Sequence, residues 1–307
     1  MLRLRLSLGL TFVAAVLALC WGDHLVYQAV GVRGVALFPL MVALVALASR
    51  EVLLLAAAAG MRPVPWVVYG GNLLVVTFCW LAPLSLRFDA KLPEDSHYLA
   101  ILSSAVATNG TLIALTVGVI LAFAAEMYRF KRPGGVTANI AAAVLAIVYV
   151  GLLFSFMVKL LLGWGLVGLL SLLIVVKMGD TGAYTVGRLI GRNKMAPELS
   201  PGKTVEGAFG AVAFACLGSW ITFQWLLPAT APDGARLGPW WGWILFGLLV
   251  GVTGMVGDLA ESLIKRDVGR KDSSNWVPGF GGVLDILDSP LLAAPVAHAC
   301  WAFGLVP

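Results

Sequence analysis

Long apolar segments recur along the whole chain and limit its possible folds more than any other feature. Each is long enough to cross about 30 Å of hydrocarbon as a helix, and about nine such segments leave little room for a soluble fold. The chain has 307 residues, of which 60% are hydrophobic and only 12% charged. We therefore predict an all-α polytopic membrane protein. The predicted spans are approximately 6–22, 35–56, 64–84, 107–128, 137–158, 164–187, 204–227, 239–264 and 289–306.

Lysine and arginine residues in the short connections predict the orientation, because they favour the cytoplasmic side. With nine spans, most of these cations fall on one face, in the groups Arg3/Arg5, Arg50/Arg62, Arg129/Lys131/Arg132, Arg188/Arg192/Lys194/Lys203 and Lys265/Arg266/Arg270/Lys271. The opposite face has only scattered ones: Arg33, Arg87, Lys91, Lys159 and Arg236. We expect a cytoplasmic N-terminus and a C-terminus on the other side.

The N-terminal segment and the four cysteines give two further expectations. The apolar stretch that ends at Trp21 resembles a signal peptide, but no small-x-small cleavage site follows, so we expect a retained first span. The four cysteines lie singly in apolar runs and are expected to be buried hydrophobic residues: Cys20, Cys79, Cys216 and Cys300.

Polar residues divide the chain unevenly. Residues 1–160 contain ordinary spans with short connections, whereas the charges from Lys177 onward gather in two patches, 177–206 and 258–288. We predict that residues 1–160 form a transmembrane scaffold that could also supply homodimer contacts, and that residues 161–307 form the catalytic region.

A polar stripe lies on the helix predicted to end near residue 264. Asp258, Glu261, Ser262 and Lys265 are spaced i, i+3, i+4 and i+7, which places them on one helical face. A surface pair between Glu261 and Lys265 is the simpler interpretation. However, Asp258 lies two turns inside the helix, where an unpaired carboxylate is costly, and a metal or a bound cation would relieve that cost.

Asp285 and Asp288 follow the flexible Gly281-Gly282 pair. Asp288 could simply cap the last span, because Pro290 is typical of a first helical turn. Asp285 has no such explanation, and a glycine backbone can approach a ligand closely. Carboxylate oxygens are the ligands that Mg²⁺ prefers, together with waters and substrate phosphates.

The other patch contains Asp180 and a basic loop that leads into a span. Gly202-Lys203-Thr204 invites a P-loop interpretation, but the pattern needs glycine where Pro197 stands, and we expect no strand before it. Lipid head groups could also attract these basic residues without specificity.

These residues together resemble the bacterial phosphatidate cytidylyltransferases, the CDP-diacylglycerol synthases. The matching positions are Ser262, Lys265, Arg266, Lys271, Asp272, Pro278, Gly279, Gly281, Gly282, Asp285 and Asp288, preceded by Asp180 to Tyr184, Gly187-Arg188 and Ser200 to Gly207. The resemblance spans roughly residues 177–290. Two positions depart from it: Phe280 stands where the family has His, and Ile286 where it has Arg. Roles of those two side chains are therefore not carried over.

The resemblance implies transfer of CMP from CTP to phosphatidic acid, which gives CDP-diacylglycerol and pyrophosphate, at a site that faces the cytoplasm from the bacterial inner membrane. It implies Mg²⁺, leaves open a second monovalent or divalent cation, and gives CTP, phosphatidic acid and membrane lipids, but no nucleic acid, as partners. The catalytic candidates are Asp258, Ser262, Lys265 and Asp285. The metal candidates are Asp258, Asp285, Asp288 and Asp180. The substrate-binding candidates are Arg188, Lys203, Thr204, Glu206, Arg266, Lys271, Asp272, Gly281 and Gly282.

Two other functions fit the same residues, and a catalytically inactive relative that keeps only a binding role is a third alternative because of Phe280 and Ile286. A CTP-dependent polyprenol or phytol kinase would also need a metal and basic side chains. An ion-coupled transporter would use intramembrane acids, but those are expected near the midplane, whereas these acids cluster at one surface.

Overall fold

A computed structural model describes residues 18–23, 25–28, 31, 33–89, 97–230, 239, 241–274 and 281–306. The first predicted span at 6–22, the basic residues Arg3 and Arg5, and Pro278, Gly279 and Phe280 lie wholly or largely outside these residues. The helices are α1 (Phe38–Ala58), α2 (Pro65–Asp89), α3 (His97–Arg129), α4 (Val136–Ala146), α5 (Leu153–Ile190), α6 (Val205–Ile221), α7 (Leu227–Thr230), α8 (Gly242–Asp267) and α9 (Leu284–Ala302). Two π-helical turns, Ile147–Leu152 and Thr222–Leu226, join α4 to α5 and α6 to α7.

The helices confirm an all-α polytopic membrane protein. Five helical stretches are long and apolar enough to cross a membrane: Phe38–Ala58, Asn109–Arg129, Val136–Ile190, Val205–Leu226 and Gly242–Asp267. Their limits agree with the predicted spans to within a few residues, because the apolar runs end where charged residues begin. The number nine and the cytoplasmic N-terminus stay predictions.

The stretch Val136–Ile190 corresponds to two predicted spans, which separate at Gly165. This residue has a φ of 70° and a ψ of −158°, which is not helical. A Cβ atom on Gly168 would lie 2.8 Å from the carbonyl oxygen of Leu160, eight residues earlier, so the chain folds back here. Arg33 donates a hydrogen bond from Nη1 to the carbonyl oxygen of Gly163 at 3.1 Å. It thereby satisfies one carbonyl group at the end of the helical segment that precedes Gly165.

A short β-hairpin interrupts the helices between α5 and α6. Strands β1 (Lys194–Ala196) and β2 (Ser200–Thr204) are antiparallel, with Lys194 opposite Thr204. The prediction of a basic loop without a strand was therefore wrong at this point. The hairpin ends at Thr204, whose Oγ1 accepts a hydrogen bond from the Gly207 amide at 3.1 Å and caps α6.

Helices α5, α6, α8 and α9 pack together through glycines that allow close backbone contact. A Cβ atom on Gly247 would lie 2.6 Å from Cα of Cys216, for example. Large side chains such as Phe154, Phe246 and Leu291 fill the core. All four cysteines are free; three are buried, as predicted, and Cys216 is partly buried.

The end of the bundle that carries the hairpin also carries other basic residues that the sequence grouped there. Arg129 Nη2 donates to the carbonyl oxygen of Arg62 at 2.5 Å, and the Arg62 amide donates to Asn139 Oδ1 at 2.6 Å. Glu51, two turns before the end of α1, contacts the segment that leads into α9. Elements from both halves of the chain therefore meet at this end.

Candidate active site

Helix α8 presents the predicted polar stripe towards α9. Glu261 is fully buried and Lys265 is 8% exposed, whereas Asp258 and Ser262 are partly buried. The helical spacing is confirmed, but the interpretation of Glu261 and Lys265 as a surface pair is wrong. Both side chains point into the protein, where an ion pair needs good geometry to offset desolvation.

The Lys265 ammonium group joins two carboxylates. It donates to Asp285 Oδ1 at 2.5 Å and to Glu261 Oε2. An ammonium group has three N–H donors, so one remains for a further acceptor. Lys265 is thereby fixed at the point where α8 faces the start of α9.

Asp285 is held by the loop before α9 as well as by Lys265. Its Oδ2 accepts hydrogen bonds from the Gly282 amide at 2.6 Å, from Ser273 Oγ at 2.7 Å and from the Ser273 amide at 3.1 Å. Gly281 has a φ of 87°, and a Cβ atom there would lie 2.5 Å from Asp285 Oδ2, so glycine is needed at this position. Lys265 and the amides of Gly282 and Ser273 thus bond this carboxylate, and the Ser273 hydroxyl, which also faces Glu51, adds a further bond when it turns towards Asp285.

Asp258 pairs with the β-hairpin. Its Oδ2 lies 2.7 Å from the Lys203 ammonium nitrogen, on β2. Arg266, on the same helix as Asp258, donates from Nε to the carbonyl oxygen of Leu199 at 3.1 Å. The hairpin is therefore attached to α8 at two points.

Asp288 comes close to Asp258 because the two helices touch through a glycine. A Cβ atom on Gly257 would lie 2.6 Å from the Asp288 carbonyl oxygen and 3.0 Å from Cα of Ser289. Asp288 is 7% exposed and lies inside α9, which begins at Leu284, so the capping interpretation is wrong. Its Oδ1 accepts a hydrogen bond from the Ser289 amide at 2.5 Å.

Five carboxylates and three lysines form one group, which we call the carboxylate cluster. Asp288 interacts electrostatically with Asp258, Lys177 and Asp180, and Glu261 with Asp285, Asp288 and Lys265. Asp180 and Lys177 form an ion pair of 3.0 Å within α5. The members are Asp180, Asp258, Glu261, Asp285 and Asp288 with Lys177, Lys203 and Lys265. Negative charge is in excess, so a polyanionic ligand would need added cations to bind here.

Asp258 and Asp288 are the acids of the cluster whose chemistry suits a divalent cation. Within the described ranges, no three His, Cys, Asp or Glu side chains converge as a ready metal site. Mg²⁺ nevertheless commonly uses one or two carboxylates and completes its octahedron with waters and substrate phosphates. Asp258 Oδ1 and Asp288 Oδ2 accept no hydrogen bond from the described part of the chain, and their two negative charges repel each other. Asp285 differs, because both of its oxygens already accept hydrogen bonds from the protein.

The remaining predicted residues hold or flank the site. Glu206 accepts hydrogen bonds from the backbone amides of Arg192 and Asn193, at 3.1 and 3.2 Å, and so secures the start of the hairpin, whereas Thr204 caps α6. Arg188 donates to the Tyr184 hydroxyl at 2.7 Å and is exposed. Lys271 and Asp272 are exposed in the loop after α8. Gly282 contacts both Ser273 and Glu51.

Two buried polar side chains near the site were missed from the sequence. Tyr149, in the π-helical turn Ile147–Leu152, is 6% exposed, and its hydroxyl has no hydrogen-bond partner among the described residues. It interacts electrostatically with four members of the carboxylate cluster. Glu51, on α1, accepts four hydrogen bonds from the segments around Asp285. Only the cost of an acid inside an apolar helix could have drawn attention to Glu51.

Comparison with known proteins identifies the class. A model of the cytidylyltransferase family matches residues 7–303, so the chain belongs to this family. Phosphatidate cytidylyltransferase of Bacillus subtilis is 33% identical over 232 residues, which cover 74% of this chain and 80% of the relative. The Helicobacter pylori protein of the same name is 34% identical over 243 residues, which cover 78% of this chain and 82% of the relative. The Synechocystis one is 33% identical over 201 residues, 55% of this chain and 64% of the relative.

Proposed function

We propose that the protein is a phosphatidate cytidylyltransferase, which transfers CMP from CTP to phosphatidic acid. The family and the names of the relatives support this activity. The observation that carries it is the carboxylate cluster with its three lysines at the polar end of apolar helices. Such a place is open to a water-soluble nucleotide and to a lipid head group at once.

The reaction needs charge neutralisation more than proton removal. A phosphate oxygen of phosphatidic acid forms a bond to the α-phosphorus of CTP, and the bond from that phosphorus to the bridging oxygen of pyrophosphate breaks. The attacking oxygen is already anionic, so no strong general base is required. Positioning of two polyanions and stabilisation of the transferred phosphoryl group are the main demands on the site.

Asp258 and Asp288 would hold Mg²⁺, with Asp180 as a supporting acid. The bound ion would neutralise phosphate charge and polarise the α-phosphoryl group. Asp285 would act differently from the other acids, because Lys265 and the amides of Gly282 and Ser273 already bond it. Its role is to fix Lys265 and the loop around Gly282.

The cations of the site would contact the phosphates. Lys265 keeps one N–H donor free of Glu261 and Asp285, and Lys203 can exchange Asp258 for a phosphate oxygen when a metal takes that carboxylate. Arg266 and Arg188 lie further out and are exposed, where they would meet the triphosphate or the lipid head group. Ser262, one turn after Asp258, lies on the same face of α8.

The site is proposed to face the cytoplasm from the bacterial inner membrane. CTP is made in the cytosol, and the end of the bundle that carries the site also carries Arg62, Arg129 and the hairpin cations. That distribution is the one that the positive-inside bias favours.

CTP labelled at different phosphates tests the proposal. Purified protein with Mg²⁺ and phosphatidic acid should transfer label from the α-phosphate into the lipid fraction and none from the γ-phosphate. Label from the γ-phosphate in a lipid alcohol would instead establish a CTP-dependent kinase and overturn the assignment.

A further inference from the structure

Glu51 is a buried carboxylate that belongs to the first half of the chain but bonds only to the second. It is 4% exposed and lies on α1. Its Oε1 accepts from Ser274 Oγ at 2.7 Å and from the Val283 amide at 3.0 Å. Its Oε2 accepts from Ser273 Oγ at 2.9 Å and from the Leu284 amide at 2.7 Å. None of the described lysine and arginine side chains forms an ion pair with it.

The four donors come from both ends of the loop between α8 and α9. The serines follow α8, and the two amides are at the N-terminus of α9, where backbone N–H groups lack helical acceptors. The positive end of the helix dipole also favours a carboxylate there. Glu51 thus links the two serines that follow α8 to the residues at which α9 begins.

A hydroxyl group links Glu51 to the carboxylate cluster. Ser273 Oγ lies 2.9 Å from Glu51 Oε2 and 2.7 Å from Asp285 Oδ2. It carries one proton and can donate to one of the two at a time. Asp285 in turn holds Lys265, and Asp288 follows one turn later on α9. The place of Glu51 therefore fixes the positions of residues that the reaction uses.

We propose that Glu51 is a positioning residue for the cytidylyl transfer: it sets the loop and the first turn of α9 so that Lys265 and Asp288 face the substrates. This inference rests on the proposed function for its kinetic consequence, but not for its structural one. The scaffold half of the chain thereby contributes directly to the active site.

Glutamine at position 51 separates this role from simple packing, because it keeps the volume of the side chain. Its NH₂ group must replace one of the two oxygens. A serine hydroxyl can rotate to accept from that NH₂ group, but a backbone N–H cannot. Either the Val283 amide or the Leu284 amide then loses its acceptor, whichever way the side chain is turned.

Hydrogen exchange and steady-state kinetics on the purified full-length protein test the proposal together. In Glu51→Gln, amide exchange at Val283 and Leu284 should be about tenfold faster or more, and kcat and the apparent Mg²⁺ affinity should fall by about 10- to 100-fold. Glu126→Gln is the matched control, since Glu126 is also a buried acid, 3% exposed, but pairs with Arg129 on α3. It should leave exchange at α9 and kcat unchanged.

The outcomes are distinguishable. Unchanged exchange and unchanged kcat per folded molecule in Glu51→Gln would overturn the proposal. If that variant does not fold, Ser274→Ala decides, because its hydroxyl donates to Glu51 Oε1 at 2.7 Å: a lower kcat with faster exchange at Val283 and an unchanged melting temperature supports the positioning role, and unchanged exchange and kcat refute it. If the unsubstituted protein transfers no CMP but Glu51→Gln still shows faster exchange at Val283 and Leu284, then the assigned reaction is wrong and the structural role of Glu51 is not.

Discussion

Replacement of Asp285 by asparagine is the sharpest test of how the site is held together. The change preserves volume but leaves only one oxygen. That oxygen can keep the three hydrogen bonds from Ser273 and Gly282 only if the new NH₂ group faces Lys265. Two donors would then oppose each other at the present 2.5 Å contact. The opposite orientation would break the loop contacts instead.

The size of the effect follows from the burial of the ion pair. The side chains of Lys265 and Asp285 are 10% and 11% exposed, so solvent screens the pair little. Removing one partner of a buried pair costs about 3–5 kcal/mol when the other charge is left unpaired, and because Lys265 keeps Glu261 we expect the lower end, about 3 kcal/mol. Since about 1.4 kcal/mol corresponds to a factor of ten in rate, expression of this cost in the transition state alone would lower kcat by about a hundredfold or more. Any part of this cost that lowers the free energy of unfolding would appear as a lower melting temperature instead.

Steady-state transfer and thermal unfolding of the same preparation separate the two contributions. Asp267→Asn is the control, because Asp267 is exposed near the end of the same helix α8 and forms no ion pair in the described part of the chain. It should retain wild-type kcat and melting temperature. An Asp285→Asn protein whose kcat stays within about threefold of wild type would refute the account of Asp285 as the residue that fixes Lys265.

Three further predictions follow from the cluster and the fold. Removal of Mg²⁺ with a chelator should abolish transfer, and Asp288→Asn should raise the Mg²⁺ concentration needed for half-maximal rate by about tenfold or more; an unchanged requirement would exclude Asp288 as a ligand. Gly257→Ala should lower kcat strongly, because its Cβ atom would meet the Asp288 carbonyl oxygen at 2.6 Å, whereas Gly254→Ala, with its nearest contact at 3.5 Å, should not; equal effects would contradict the close helix contact. Gly202 and Gly163 are both exposed with open space around them, so a cysteine at either position should be accessible. In a cysteine-free background, Gly202→Cys should react with an impermeant thiol reagent only from the cytoplasmic side, and Gly163→Cys only from the other side. Labelling of both from one side would contradict the topology.

The helices were predictable because their signal is local. An apolar run of about 20 residues predicts a spanning helix without knowledge of its neighbours, and the Asp258 to Lys265 stripe needed only helical spacing. Because Asp288 was considered as a cap of the last span, that span was predicted to begin at 289, whereas its helix begins at Leu284. The burial of Asp288 depends on contacts with α8 that no local pattern contains.

The contacts that assemble the site were not predictable from the motifs. Glu51 is separated from Leu284 by 233 positions along the chain, and its hydrogen bonds exist only once the halves pack together. Thr204 caps α6 and Glu206 secures the hairpin, which the motif alone does not reveal, and their contact with substrate stays a prediction. Packing between helices determines which of the motif side chains keep free polar atoms.

The stoichiometry of products tests the central claim most directly. Purified protein, CTP, phosphatidic acid and Mg²⁺ should yield CDP-diacylglycerol and pyrophosphate in equal amounts, and Asp258→Asn should suppress both products together because it removes one carboxylate of the proposed metal pair. Release of CDP with a newly phosphorylated lipid, or full activity of the Asp258→Asn protein, would contradict the account.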